Sequence, residues 1–151
     1  MKNMHYDIDT IAESEYPEVV ELWEASVRAT HHFLPEADIQ YFKPLILNEY
    51  LKAVTLSCIR GENRRILGFL GVADQKIEML FIHPDARGRG IGKALLNYAL
   101  KKYNANQVDV NEDNPEAVGF YEHLGFRTIK RSPLDSQGKP YPILHMELLT
   151  A

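Results

Sequence analysis

Cysteine is nearly absent. The chain of 151 residues holds one, Cys58, which excludes a disulfide framework and any zinc site built on thiolates. Cys58 lies in the apolar run Val54 to Ile59 and reads as a buried strand thiol. No stretch approaches the roughly 20 apolar residues of a membrane-spanning helix. The start, Met1-Lys2-Asn3-Met4-His5, carries no long apolar segment, so no membrane association and a cytoplasmic location are expected. Surplus positive charge is missing too: 17 Lys and Arg stand against 21 Asp and Glu, for a net charge of -4. That sign is wrong for gripping a phosphate backbone, so no nucleic-acid partner is expected. A mildly acidic surface suits cationic small molecules or basic peptide ends instead.

With 45% hydrophobic and 25% charged residues, the composition is globular, and the length fits one domain over 1–151. Alternation in Tyr6-Asp7-Ile8-Asp9-Thr10-Ile11 predicts a first strand. A helix begins near Tyr16, its apolar face formed by Val19, Leu22, Trp23, Ser26 and Val27 at spacings of three and four. A second helical pattern runs from Asp38 to Leu51, kinked or restarted at Pro44. Strand-like runs follow at Val54 to Arg60, Ile66 to Asp74 and Ile77 to Ile82, joined by turn-like segments into an antiparallel meander. Ile91, Leu95, Tyr98 and Ala99 mark a helix ending near Tyr103. Then come a strand at Gln107 to Val110, a helix at Pro115 to His123, a strand at Phe126 to Arg131, a loop at Ser132 to Pro142 and a closing strand from Ile143 to Leu149. A meander that changes to strand, helix, strand implies a mixed sheet with at least one parallel crossover.

Between the third strand run and the helix at Ile91 lies Arg87-Gly88-Arg89-Gly90-Ile91-Gly92. Glycines at alternate positions let the backbone approach a ligand and aim successive N–H groups at it. The unpaired amides and positive dipole end of the next helix favour a phosphate, and Arg87, Arg89 and Lys93 add positive charge. Spacing excludes two nucleotide cradles. A P-loop needs one more residue between Gly88 and Gly92-Lys93, and Ser or Thr where Ala94 stands; a dinucleotide fingerprint needs glycine at Lys93.

The turn resembles the acetyl-CoA pyrophosphate loop of the GNAT superfamily of N-acetyltransferases. Met79-Leu80-Phe81-Ile82-His83-Pro84 is similar to that family's central strand. Asn111, Asn114-Pro115-Glu116-Ala117 and Gly119 to Phe126 are similar to its later strand and helix, and nearly the whole chain is covered. Within the superfamily the likeness is to the bacterial YjaB-like group. The resemblance implies an α/β (α+β) GNAT fold: a mixed, mostly antiparallel twisted sheet of about seven strands flanked by about four helices. It also implies transfer of an acetyl group from acetyl-CoA to a primary amine of a small molecule or peptide by direct attack in a ternary complex. The alternative is a non-catalytic acyl-CoA binding or sensing module. No metal is expected, and the protein is expected to be a monomer or homodimer.

The resemblance assigns the cofactor to Arg87, Gly88, Arg89, Gly90, Ile91, Gly92 and Lys93, to the backbone of Leu80, Phe81 and Ile82, and to Asn111 and Asn114. Asn114, before Pro115, equally suits a helix cap. Tyr121 is the candidate general acid near the cofactor sulfur, because a phenol with pKa near 10 stays protonated at neutrality and can donate to a departing thiolate; its alternative is a core aromatic. Glu78 is the candidate base, its alternative a solvent-facing strand carboxylate, since a one-residue shift turns it away. His31 and His32 lie where relatives roof the acceptor pocket; a capping or surface pair is the alternative. Adjacent positions point apart, which excludes the two as a metal site. The loop Gln137 to Pro142 borders the acceptor region, with Tyr141 either facing it or packing.

Overall fold

The computed structural model describes residues 6–149. Helix α1 (Tyr16–Thr30) turns its stripe of Val19, Leu22, Trp23, Ser26 and Val27 inward, all of them buried, as the spacing predicts. Helix α2 (Glu36–Leu45) contains Pro44 and passes into a π-helical turn at Ile46–Tyr50 and a short 3-10 turn at Leu51–Ala53. A proline lacks the N–H that the ladder needs, and the widened turn absorbs the disruption.

Strands β1 (Thr55–Arg60), β2 (Ile66–Ala73) and β3 (Lys76–Ile82) form the antiparallel meander. Helix α3 (Ile91–Tyr103) crosses to β4 (Gln107–Asn111), which runs parallel to β3. Helix α4 (Pro115–His123), strand β5 (Phe126–Ser132) and strand β6 (Ile143–Leu148) complete the described elements. Gly125, at φ 101°, reverses the chain after α4, a conformation that favours glycine. The sheet order is β1-β2-β3-β4-β6-β5. One core lies between the sheet and α3 and α4, around Leu70, Ile77, Leu95, Val108, Phe126 and Met146. The other lies on the opposite face, around Trp23, Ile39, Leu51, Cys58, Phe69 and Met79.

The sheet has six strands among the described residues, not about seven. The expected first strand, Tyr6 to Ile11, contributes one bridge, in which the Asp9 and Cys58 backbones exchange hydrogen bonds of 2.8 and 2.9 Å. Arg60 is the reason. Its guanidinium donates to the Thr10 carbonyl at 2.9 Å, to Asp9 at 2.7 Å and to both oxygens of Glu15. This segment is held by an ion-pair cluster where a ladder would otherwise continue.

The feature that places the site is a bulge in β3. Gly71 pairs with Met79 and Val72 with Ile77, leaving Glu78 without a partner. The extra residue inverts the alternation, so Ile77 faces the α3 core and Met79 the α1 core. It also bends the strand. Consequently β3 and β4 pair only at Lys76–Gln107 and Ile77–Val108, while β4 stays paired with β6 as far as Asn111–Ile143. Beyond Ile77 the two central strands separate.

The Arg60 cluster has a measurable consequence. Hydrogen bonds from Arg60, then from the Ala12 amide, lower the Glu15 carboxyl from 4.5 to about 2. A carboxyl lowered in the folded state adds stability above its unfolded value, and that stability is lost as pH falls through the folded one. Urea midpoints followed from pH 5 to pH 2 should therefore fall more steeply for the wild type than for Glu15→Gln. Parallel curves would show that the pair contributes nothing.

Candidate active site

Gly88 and Gly90 adopt φ 78° and 77°, and a Cβ at either would meet nothing within 4 Å. The positive φ, and not crowding, requires glycine there. Gly90 is the N-cap of α3, and no side chain caps the helix, so its first amides are left for a ligand. Tyr6 donates to the Arg89 carbonyl at 2.6 Å and Arg89 to the Asp85 carbonyl at 3.2 Å, which braces the loop from outside. Arg87 pairs with Glu116 of α4. Ile91 is core, so only its backbone is available, and Lys93 is exposed.

Two chambers open where β3 and β4 part. The first, about 380 Å³, runs between Leu80 and Ile82 on one side and Val110 and Asn111 on the other, and is also lined by Arg87, Gly92, Asn114, Phe120 and Tyr121. The second, about 590 Å³, lies under α1 and the β5–β6 loop, with Trp23, Phe42, Asp135 and Tyr141 in its wall. They meet at His31, at Ile77, Glu78, Met79 and Phe81 of β3, and at Asp109 and Asn111 of β4, which line both. A donor and an acceptor can thus approach one junction from opposite sides.

Backbone parity sorts the three central-strand residues. His83 N–H donates to the Leu67 carbonyl at 2.8 Å, and the register pairs Phe81 with Phe69. In an antiparallel ladder every second residue bonds a given neighbour, so Phe81 spends its N–H and C=O on β2. Leu80 and Ile82 turn theirs toward the first chamber, beyond the last β3–β4 pair. The resemblance implies backbone contacts from all three; the parity leaves two amides free and gives Phe81 a side-chain role as a wall of both chambers.

Tyr121 is 6% exposed, lies edge-on to Phe120 and Phe126, and faces the first chamber. Burial alone pushes its phenol well above the usual range, so the group is a protonated donor throughout neutral pH. Asn114 caps α4, accepting from the Ala117 amide at 3.3 Å, and its amide nitrogen lies 3.5 Å from His31 Nε2. Thr30 Oγ donates to the Ser26 carbonyl and sits 2.8 Å from His31 Nδ1. Burial, then the neighbouring His32, lowers the His31 imidazole from 6.5 to about 4, so it is neutral at pH 7. His32 is exposed and belongs to neither chamber; successive residues point apart, and only His31 turns inward. Glu78, the bulge residue, faces the junction with its carboxylate 3.4 Å from Lys76 Nζ. Tyr141 donates to Asp38 and is pushed up to about 12 by burial and by that carboxylate.

Sequence reasoning missed a polar floor in the second chamber formed by Lys76, Asp109, Ser132 and His145. Asp109 and His145 are visible as polar residues alternating with apolar ones in β4 and β6. Their meeting depends on a pairing 36 residues apart, which no local pattern reveals. Among the described residues no group of three or more His, Cys, Asp or Glu is placed to hold a metal ion. No described helix is long and apolar enough to cross a membrane.

Comparison with known proteins agrees with this geometry. The family model for the acetyltransferase (GNAT) domain matches residues 31–149. The chain belongs to the GNAT family of acetyltransferases. The acetyltransferase is 37% identical over 132 residues to the peptidyl-lysine N-acetyltransferase YjaB of Salmonella typhimurium, covering 87% of this chain and 90% of that one. Its fold matches the solution structure of apo-form YjaB from Escherichia coli with TM-score 0.86 and 36% identity, over 98% of this chain and 100% of that one. It also matches a PaiA N-acetyltransferase from Thermoplasma acidophilum, solved in complex with coenzyme A, with TM-score 0.70 and 20% identity over 97% and 100% of the chains. The protein is thus an N-acetyltransferase, moving an acetyl group from acetyl-CoA to an amine.

The neutral state of His31 is testable by NMR. Its ring resonances should stay constant from pH 8 to about 5 and titrate near 4, and the stability linked to its neutral form should be lost as pH falls from 6.5 toward 4. A midpoint near 6.5 would contradict the desolvated placement.

Proposed function

We propose that this enzyme acetylates the side-chain amine of a lysine in a peptide or protein by direct attack on acetyl-CoA in a ternary complex. The observation that carries the proposal is the junction: two chambers on opposite faces of the strand separation, meeting at Glu78 and Asn111. The YjaB relative is named for peptidyl-lysine, and the second chamber suits that acceptor. Trp23, Leu34, Phe42 and Ile46 offer an apolar passage for a four-carbon stem, while Glu78, Asp109 and Asp135 outnumber Lys76 in its lining and favour an ammonium group.

In this reading the first chamber takes acetyl-CoA. The open glycines and uncapped α3 amides fit a pyrophosphate, with Arg87 beside them. The free amides of Leu80 and Ile82 pair with the pantetheine arm as an added strand would, and one of them polarises the thioester carbonyl. Asn111 and Asn114 offer donors and acceptors to its amides.

A lysine amine with pKa near 10.4 is neutral in only about one molecule in a few thousand at pH 7, a cost of about 4.6 kcal/mol. Glu78 receives the ammonium at the junction and draws off its proton, directly or through water. The neutral amine attacks the carbonyl carbon, the C–S bond breaks, the departing thiolate takes the proton of the Tyr121 hydroxyl, and the second proton, shed by the new amide nitrogen, returns to the Tyr121 oxygen directly or through water. The buried, protonated phenol suits that donation. The neutral imidazole of His31 walls the junction without adding a charge that repels the incoming cation.

Thiol release with acetyl-CoA and lysine-containing peptides tests the reading. Tyr121→Phe should lower kcat by about 100-fold while the dissociation constant for acetyl-CoA changes less than about threefold. An unchanged kcat would remove Tyr121 from the chemistry, and equal turnover of every small amine but no peptide would overturn the choice of acceptor.

A further inference from the structure

A hydrogen-bonded chain crosses the floor of the second chamber, and the mechanism above assigns it no proton transfer. Ser132 Oγ lies 2.7 Å from His145 Nε2, His145 Nδ1 lies 2.7 Å from Asp109 Oδ1, and Lys76 Nζ donates to Asp109 Oδ2 at 2.6 Å. All four residues line the chamber. The β4–β6 register sets Asp109 directly opposite His145, and Ser132 ends the neighbouring strand β5.

The chemistry of this chain is directional. A carboxylate only accepts hydrogen bonds, so the proton on His145 sits at Nδ1, facing Asp109. The Nε2 lone pair then receives the Ser132 hydroxyl. A hydroxyl in that position can take a proton on Oγ as it gives its own to Nε2, and the imidazolium that results is stabilised by Asp109. Hydroxyl, imidazole and carboxylate in this order also activate serine nucleophiles, but distance argues against that use here. Ser132 lies two strands out from β4 in the order β4-β6-β5. At about 4.8 Å per strand, its hydroxyl is on the order of 10 Å from the strand separation where the thioester reacts.

We propose that His145, oriented by Asp109 and reached through Ser132, is where the acceptor amine's proton comes to rest. The proposal rests on the acetyl-transfer reading and deepens it. Glu78 meets the ammonium at the junction, already 3.4 Å from Lys76 Nζ, whereas His145 offers a proton site at Nε2, 2.7 Å from Ser132 Oγ, with Asp109 2.7 Å from its other nitrogen to stabilise the charge. The chamber of about 590 Å³ reaches from Glu78 to Ser132 and has room for water to carry a proton between them. The step balances: an amine N–H bond breaks, Ser132 exchanges one proton for another, Nε2–H forms, and the amine is left neutral.

Charged groups on several elements share the chamber with His145. Asp109 meets His145 from β4 at 2.7 Å, while Glu78 and Lys76 of β3 and Asp135 of the β5–β6 loop line the same chamber. Lys130 is the register partner of His145 on β5. Three carboxylates therefore stand against two ammonium groups. The phenols of Tyr50 and Tyr141 in the same wall are raised above their usual range, chiefly by burial, and stay neutral. Lys76 stays charged: burial opposes its charge, but the hydrogen bond and charge of Asp109 outweigh this and raise its pKa.

The test is the pH profile of kcat/KM for a lysine peptide from pH 5 to 9, with acetyl-CoA binding measured by calorimetry on each protein. The wild type should show an acid limb set by protonation of His145. His145→Gln should lose that limb and about 100-fold in kcat/KM, with acetyl-CoA affinity intact. Asp109→Asn should move the limb to lower pH, because the imidazolium loses its facing charge; this variant carries the test should His145→Gln fail to fold. A limb that persists in His145→Gln but vanishes in Glu78→Gln would overturn the proposal, as would an acetyl group found on Ser132 by intact mass and chased into product. Thiol release with no lysine peptide at all would instead sink the acetyl-transfer reading on which the proposal stands.

Discussion

A buried backbone amide must find a partner, and the central strand of this protein is built so that some of its amides cannot find one in the sheet. Glu78 is the extra residue that bends β3, and pairing with β4 ends after two residues. Leu80 and Ile82 are left facing a chamber, and the uncapped start of α3 opens close by. Both are unfinished pieces of regular structure. In the proposed mechanism acetyl-CoA completes them, acting as a strand toward β3 and as a capping anion toward α3, so the cofactor site follows from how the fold leaves its own hydrogen bonds unmade.

The same bend divides the chemistry. Two titratable groups at or beside the junction are desolvated and neutral: Tyr121 keeps its proton and His31 refuses one. In the second chamber Lys76 pairs with Glu78 along β3 and with Asp109 across to β4, and Asp109 in turn holds His145 on β6. A buried phenol stays protonated at neutral pH, whereas a charged, open chamber lies on the amine's side. In the proposed mechanism burial thus separates donation to sulfur from deprotonation of the amine within one cleft.

Most of the fold was legible because its signals are local. Helix α4 begins at Pro115 and ends at His123 as the proline and the glycine beyond it indicate, and α1 buries the five residues its spacing selects. The glycine turn was legible because positive φ and an open approach demand that residue type. The first strand misled because alternation in Tyr6 to Ile11 cannot reveal that Arg60, about fifty residues on, takes the carbonyl of Thr10. The bulge at Glu78 was hidden for a related reason: an apolar run such as Ile77 to Ile82 looks the same whether its parity is kept or inverted. That one inversion decides which amides of Leu80, Phe81 and Ile82 are free. The Asp109–His145–Ser132 chain, assembled from three strands, left no trace in any window of the sequence.

The central claim is that the separation at the bulge leaves selected strand amides for the cofactor. Residue-resolved amide hydrogen exchange with and without CoA measures this directly. The account predicts that Leu80 and Ile82 exchange readily in the free enzyme and become protected with CoA, while Phe81, already bonded to β2, is protected in both. Equal protection of all three without CoA, or no change at Leu80 and Ile82 when it binds, would contradict it.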